Sequence, residues 1–117
     1  MAKITTYDGQ QLTEVLAANR GLLLVHFSSS LASSTETLRH SLQEIPADVA
    51  SFVEVAEVDV PVTDSELIAS YGLQQLPTLL LFCEGAIVER LEWTPDPEEL
   101  AQFLLLCTSY YTVTRSE

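Results

Sequence analysis

The residues able to do chemistry in this 117-residue chain gather at one joint, where the apolar run Leu22 to Phe27 gives way to Ser28-Ser29-Ser30-Leu31-Ala32-Ser33-Ser34-Thr35-Glu36. Hydroxyls between a strand and a helix can attack an ester, cradle a phosphate or cap the helix. A serine hydrolase needs the G-x-S-x-G elbow, or another serine with a base and a pair of oxyanion donors, and neither spacing is present. A phosphate at a helix N-terminus is physically allowed. However, no Lys or Arg lies between Gly21 and Leu38, the joint holds no glycine, and Glu36 already occupies the positive end of the helix dipole. Ser33 and Glu36 have the spacing of a capping box, in which Ser33 accepts from the Glu36 amide and Glu36 returns a bond. Such a cap is worth about 1 kcal/mol, and a cap is the leading reading of the joint.

The thiols and imidazoles are scattered. Cys83 and Cys107 fall in separate elements, with no C-x-x-C and no clustering with His26 or His40 of the kind a metal requires. No metal and no cofactor is expected. Five Lys plus Arg against seventeen Asp plus Glu give a net charge of -12, which repels nucleic acid and anionic membranes alike. No apolar run approaches the ~20 residues that span a bilayer, and MAKITTYDGQ has no apolar signal core behind Lys3. A cytoplasmic protein is the expectation. With 47% apolar residues, no repeat and no linker, the chain reads as one domain over residues 1–117, with a core at about 8–106 and a C-terminal extension at 107–117.

The elements that must position these residues follow from periodicity. Ile4 to Thr6 is a short strand, and Leu12, Val15 and Leu16 share one face of a helix from Asp8 that Arg20-Gly21 stops. Leu22 to Phe27 has the unbroken apolar character of a strand covered on both faces. Leu38, Leu42 and Ile45 predict a helix ended by Pro46, and Phe52 to Val60 a strand. Thr63 to Glu66 has capping-box spacing for a short helix closing near Gly72. Thr78 to Cys83 and Ala86 to Trp93, joined by Glu84-Gly85, predict an antiparallel hairpin. Asp96-Pro97-Glu98-Glu99 supplies an N-cap, a proline at the first helical position and a glutamate three residues after the cap. Leu100, Phe103, Leu104 and Cys107 then line one face of the last helix. The order β-α-β-α-β-α-β-β-α is that of a three-layer α/β/α sandwich, with a mixed sheet of four to five strands, four helices and parallel early strands.

Gln75-Leu76-Pro77-Thr78 running into LLLF, followed by a Gly-containing turn, a strand and an amphipathic helix, resembles the thioredoxin family. Tyr71-Gly72, the segment EVDV and the strand LLLVHF fit the same pattern, which covers roughly Asp8 to Leu106. The resemblance implies a thioredoxin-like fold and a cis peptide at Pro77, a form open almost only to proline. Thioredoxins attack disulfides with a cysteine of lowered pKa at a helix N-terminus, and a second cysteine three residues on resolves the intermediate. The matching positions here are Ala32 and Thr35. A methyl group cannot attack a disulfide, and a hydroxyl cannot replace the resolving thiol. Ser28 and Leu31 stand where the family has tryptophans, and Trp93 where it has a glycine that admits substrate backbone. His26 takes the place of a buried acid that relays protons. Glu57, where some members carry a lysine, is a candidate partner for it, a pair that could sense pH. The first expectation for His26 is a core histidine satisfied by one backbone or water hydrogen bond.

The resemblance therefore implies a redox-inactive member that binds a protein, as dithiol-free assembly chaperones of this fold do. The candidate groove is Leu31, Leu76, Pro77 and Trp93, and the acidic surface favours a basic or amphipathic partner. One alternative is an unconventional thiol oxidoreductase working through Cys83, where the family commonly has a lysine, or through Cys107. Another is a structural homodimer, with the tail Thr108 to Thr114 packed on the domain or at the contact between copies.

Overall fold

The computed structural model describes residues 3–18, 21–30 and 32–115. Its central sheet has the order β1-β3-β2-β4-β5, built from β1 (Ile4–Tyr7), β2 (Leu22–Ser28), β3 (Val53–Asp59), β4 (Thr78–Cys83) and β5 (Ala86–Leu91). The helices are α1 (Gly9–Ala18), α2 (Ser34–Gln43), α3 (Ala47–Ala50), α4 (Ser65–Tyr71) and α5 (Pro97–Arg115). β3 pairs parallel with both β1 and β2, whereas β4 pairs antiparallel with β2 and β5. The mixed sheet, the parallel early strands and the terminal hairpin are as the sequence implies.

Both faces of the sheet are covered, which explains the unbroken burial of β2 and the apolar composition of β4. Leu22, Leu24, Val53, Val55, Leu79 and Leu81 form one core with Leu38 and Leu42 of α2 and Leu100 and Leu104 of α5. Leu23, Val25, Phe27, Val58, Leu80 and Phe82 form the other with Leu12 of α1 and Leu67 of α4. The two-residue alternation of a strand then puts His26, Ser28, Glu57 and Asp59 on the α2/α5 face, at the end of the sheet where Ser28 leads into the serine joint.

Several local expectations need correction. Among the described residues there are five helices, not four, because Pro46 precedes a further short helix, α3, consistent with the tolerance of proline at helix starts. Ile45 lies past the end of α2 but is still 1% exposed, so its burial, not its helicity, produced the periodic signal. Thr63 does not cap α4; its neighbour Asp64 accepts from the Leu67 amide at 3.0 Å. Asp96 and Glu99 form the expected reciprocal box at 2.8 and 3.0 Å, and Asp8 and Gln11 form another at 2.8 and 2.9 Å. α4 closes on left-handed Gly72. Glu84 and Gly85 have φ of 52° and 85°, the positive values a two-residue hairpin demands. A Cβ on Gly85 would lie 2.8 Å from the Leu16 carbonyl oxygen, so this turn also packs against α1. The tail continues α5 to Arg115, with Tyr111 packed against the core and its hydroxyl donating to Glu89 at 3.0 Å. Residues 116 and 117, and the stop assigned to Arg20, lie outside the described residues. Among those residues no helix is long and apolar enough to cross a membrane.

Candidate functional site

The serine joint connects the buried end of β2 to α2 without the expected cap. Ser33 has φ -64° and ψ -29° and makes no side-chain cap bond. It is already in the helical region, so its hydroxyl is not aimed at the free amides as an extended N-cap residue would be. Glu36 instead pairs with Arg39 one turn on. The joint is held by a backbone turn, in which the Thr35 amide donates to the Ala32 carbonyl at 3.2 Å. A hydroxyl clasp adds to it: Thr35 Oγ1 donates to the Ser29 carbonyl at 2.8 Å and accepts from the Ser29 amide at 3.2 Å. Thr35 is buried and Ala32 is half-buried at the mouth of the joint.

Beneath the clasp lies an ion cluster. β2 and β3 pair His26 directly with Glu57, and His26 Nδ1 is 3.4 Å from Glu57 Oε1. His26 is fully buried, and neither ring nitrogen is hydrogen-bonded to a protein group among the described residues. Of the expected backbone or water hydrogen bond, no backbone group supplies one among the described residues, and the imidazole stands against a carboxylate without the alignment of a hydrogen bond. Glu57 is satisfied by another residue. Arg39 donates from Nε to Oε1 at 2.9 Å and from Nη2 to Oε2 at 2.6 Å, the bidentate fork that suits guanidinium to carboxylate. Ser28 Oγ lies 3.3 Å from Oε2 as a further donor.

The guanidinium bond holds the Glu57 carboxyl below its ordinary range. Burial pushes the His26 imidazole below 6.5, outweighing the pull of the Glu57 charge, and Arg39 adds to the lowering. The resting state is thus neutral His26, ionised Glu57 and cationic Arg39. Arg39 escaped the sequence reading because it lies one residue past the cation-free stretch ending at Leu38. The available signal was its place in the stripe Thr35, Leu38, Arg39, Leu42, the spacing of the α2 face that meets the sheet.

Beside the joint, the Leu76-Pro77 peptide is cis, as the resemblance implies, with Pro77 buried and Leu76 half-buried. An apolar cleft of about 310 Å³ runs past it, formed by Ala32, Val62, Ile68, Leu73 and Leu76 with Ser29 and the two glutamines 74–75. Of the expected groove residues, Leu76 lines this cleft. Pro77 sits behind it, and Leu31 lies outside the described residues. Trp93 is 52% exposed and does not line the cleft, although Gln75 Nε2 donates to the Glu92 carbonyl and so ties the Pro77 loop to the segment before it. Val62, Ile68 and Leu73 are the apolar lining that sequence reasoning missed. Across Ser29 and Ala32 the cleft meets a polar recess of about 320 Å³ that contains Arg39, Glu57, Glu36 and Asp59.

The cysteines are elsewhere. Cys107 is buried in the α2/α5 core, and burial pushes its thiol up to about 11. Cys83 is half-buried against the same core and unpaired. It ends β4 at the opposite end from Thr78, roughly 17 Å away for a six-residue strand.

A cis-proline loop facing a strand-to-helix joint, on a five-stranded mixed sheet covered on both faces, defines the thioredoxin-like class. The Thioredoxin family profile matches residues 3–105. A thioredoxin of Mycobacterium bovis is 31% identical over 90 residues, covering 77% of this chain and 76% of that protein. A thioredoxin-like protein of Synechocystis is 28% identical over 93 residues, covering 78% and 86%. Chloroplastic thioredoxin z superposes with a TM-score of 0.77 at 20% identity over 93% of this chain and 97% of its own. A mutant thioredoxin of Halobacterium salinarum gives 0.74 at 24% identity over 91% of each chain. The chain belongs to the thioredoxin family.

Proposed function

We propose that this family member does not exchange thiols at the joint but binds a segment of another protein in the apolar cleft beside Pro77, in the manner of a chaperone. One observation carries the reading: Ala32 lies in the joint that lines the cleft and Thr35 in the first turn of α2, and the Thr35 hydroxyl is buried in a closed exchange with Ser29. A methyl and a hydroxyl bonded in this way offer no nucleophile of useful pKa at neutral pH.

The alternative thiol chemistry finds little support in the thiols themselves. Cys107 at about 11 is protonated and buried, which makes a thiol inert, and Cys83 lies at the far end of β4 from the cleft. The family name of the relatives is what favours it. Unpaired thiols suit a reducing cytosol.

The test is disulfide reduction of insulin by the parent and by Ala32→Cys/Thr35→Cys. No turnover by the parent and measurable turnover by the double variant is the expected pattern. Parent activity that disappears in Cys83→Ser would overturn the binding reading in favour of the oxidoreductase.

A further inference from the structure

The cleft is only half of a continuous depression. Ser29 and Ala32 belong to its wall and also to the wall of the polar recess, so an extended chain lying in the cleft passes directly over the recess. The two halves differ in chemistry. On the cleft side are Val62, Leu73 and Leu76; on the recess side are Glu36, Glu57 and Asp59 with the single cation Arg39. Arg39 is already committed, with two of its nitrogens on Glu57 and the third on Glu36. Neutral His26 behind Glu57 adds no second positive charge. Three carboxylates against one guanidinium leave the recess with a net negative charge, and Asp59 and Glu36 are exposed at its rim.

From this we infer that the segment bound in the cleft is cationic at the adjoining position: an extended peptide that places an apolar side chain against Leu76 and Val62 and a neighbouring Lys or Arg over Asp59 and Glu36. Charge complementarity selects this occupant. An acidic neighbour would meet uncompensated carboxylates, and a neutral one would forgo the only strong field at the site. The net charge of -12 also draws basic segments in and rejects acidic ones at long range. A second copy of this chain is disfavoured by the same charge. The inference rests on the cleft reading above and adds to it the charge of the partner.

A random peptide library panned on the full-length protein tests it, followed by titration of one enriched peptide in forms with Lys, Gln or Glu at the selected position. The expected result is an apolar residue beside a basic one. The Gln form should then bind roughly three- to tenfold more weakly than the Lys form, and that difference should shrink in high salt or with Asp59→Asn/Glu36→Gln. Both variants change exposed side chains and leave the core intact. Apolar peptides that bind in the cleft equally well with Lys, Gln or Glu would overturn the cationic inference while leaving the cleft reading standing. Enriched peptides that bind Leu76→Ser as tightly as the parent would overturn both.

Discussion

At the scale of single residues, the cluster under α2 sets an imidazole against a carboxylate, with His26 Nδ1 3.4 Å from Glu57 Oε1. Glu57 is 8% exposed as a residue, so the guanidinium fork of Arg39 is what makes its burial tolerable. Arg39→Ala leaves that carboxylate without its cation. We expect a loss of about 1 to 3 kcal/mol by urea unfolding, below the full cost of breaking a buried pair because Arg39 is itself partly exposed. The pH dependence has a definite sign. Folded His26 binds its proton less readily than the unfolded chain, so as pH falls past about 6.5 the unfolded state takes up protons first. Stability contributed by neutral His26 is therefore present above that pH and declines below it, until the folded imidazole also protonates. Glu57, lowered from 4.5, contributes stability that is lost as pH falls through its folded value. Urea midpoints between pH 7 and 5.5 should fall for the parent and fall less steeply for His26→Gln; equal slopes would show that His26 is not the titrating group. The His26 and Glu57 pairing was legible because both positions belong to neighbouring strands of a recognisable pattern. Arg39 was not, because an arginine in a helical stripe gives no sign of which buried acid lies opposite it.

At the scale of elements, the helix starts show what spacing can and cannot specify. Asp96 with Glu99 capped as expected, whereas Ser33 with Glu36 has the same spacing and makes no cap bond. The difference lies in the backbone: Ser33 is drawn into the helical turn by the clasp between Thr35 and Ser29, a contact no local motif announces. Asp96→Ala should therefore cost about 1 kcal/mol of stability, and Ser33→Ala close to none. A denaturation midpoint for each is sufficient to check this, and comparable losses would mean that Ser33 caps in solution. The strands were more legible than the helices because β2 and β4 need apolar residues on both faces and so stand out as short runs. α3 was hidden because four residues after a proline carry too little periodicity to read.

At the scale of the whole molecule, the two-faced core and the terminal hairpin followed from the order of elements, while the cleft did not. Its lining comes from the joint at Ser29 and Ala32 and from the stretch between Val62 and Leu76 around α4, which meet only in three dimensions. Val62 and Leu73 had no motif to mark them. Trp93 is the only tryptophan, is half-exposed, and follows a residue tied to the Pro77 loop. Its fluorescence should accordingly shift to shorter wavelength and become less quenchable by acrylamide when a peptide occupies the cleft. An unchanged spectrum at saturation would place the bound chain away from Trp93.

The three aspartate caps, on α1, α4 and α5, give part of the acidic surface a second duty. Anyone re-engineering the protein toward neutrality, for crystallisation or to broaden its range of partners, would have two populations of carboxylate to separate. Exposed acids away from the cleft and its recess, such as Glu66, can be exchanged freely for amides. Asp8, Asp64 and Asp96 need a replacement that keeps a side-chain acceptor, asparagine or serine, and Glu57 must keep its charge for Arg39, so a redesign that put alanine or lysine at these positions would lose about 1 kcal/mol at each helix start.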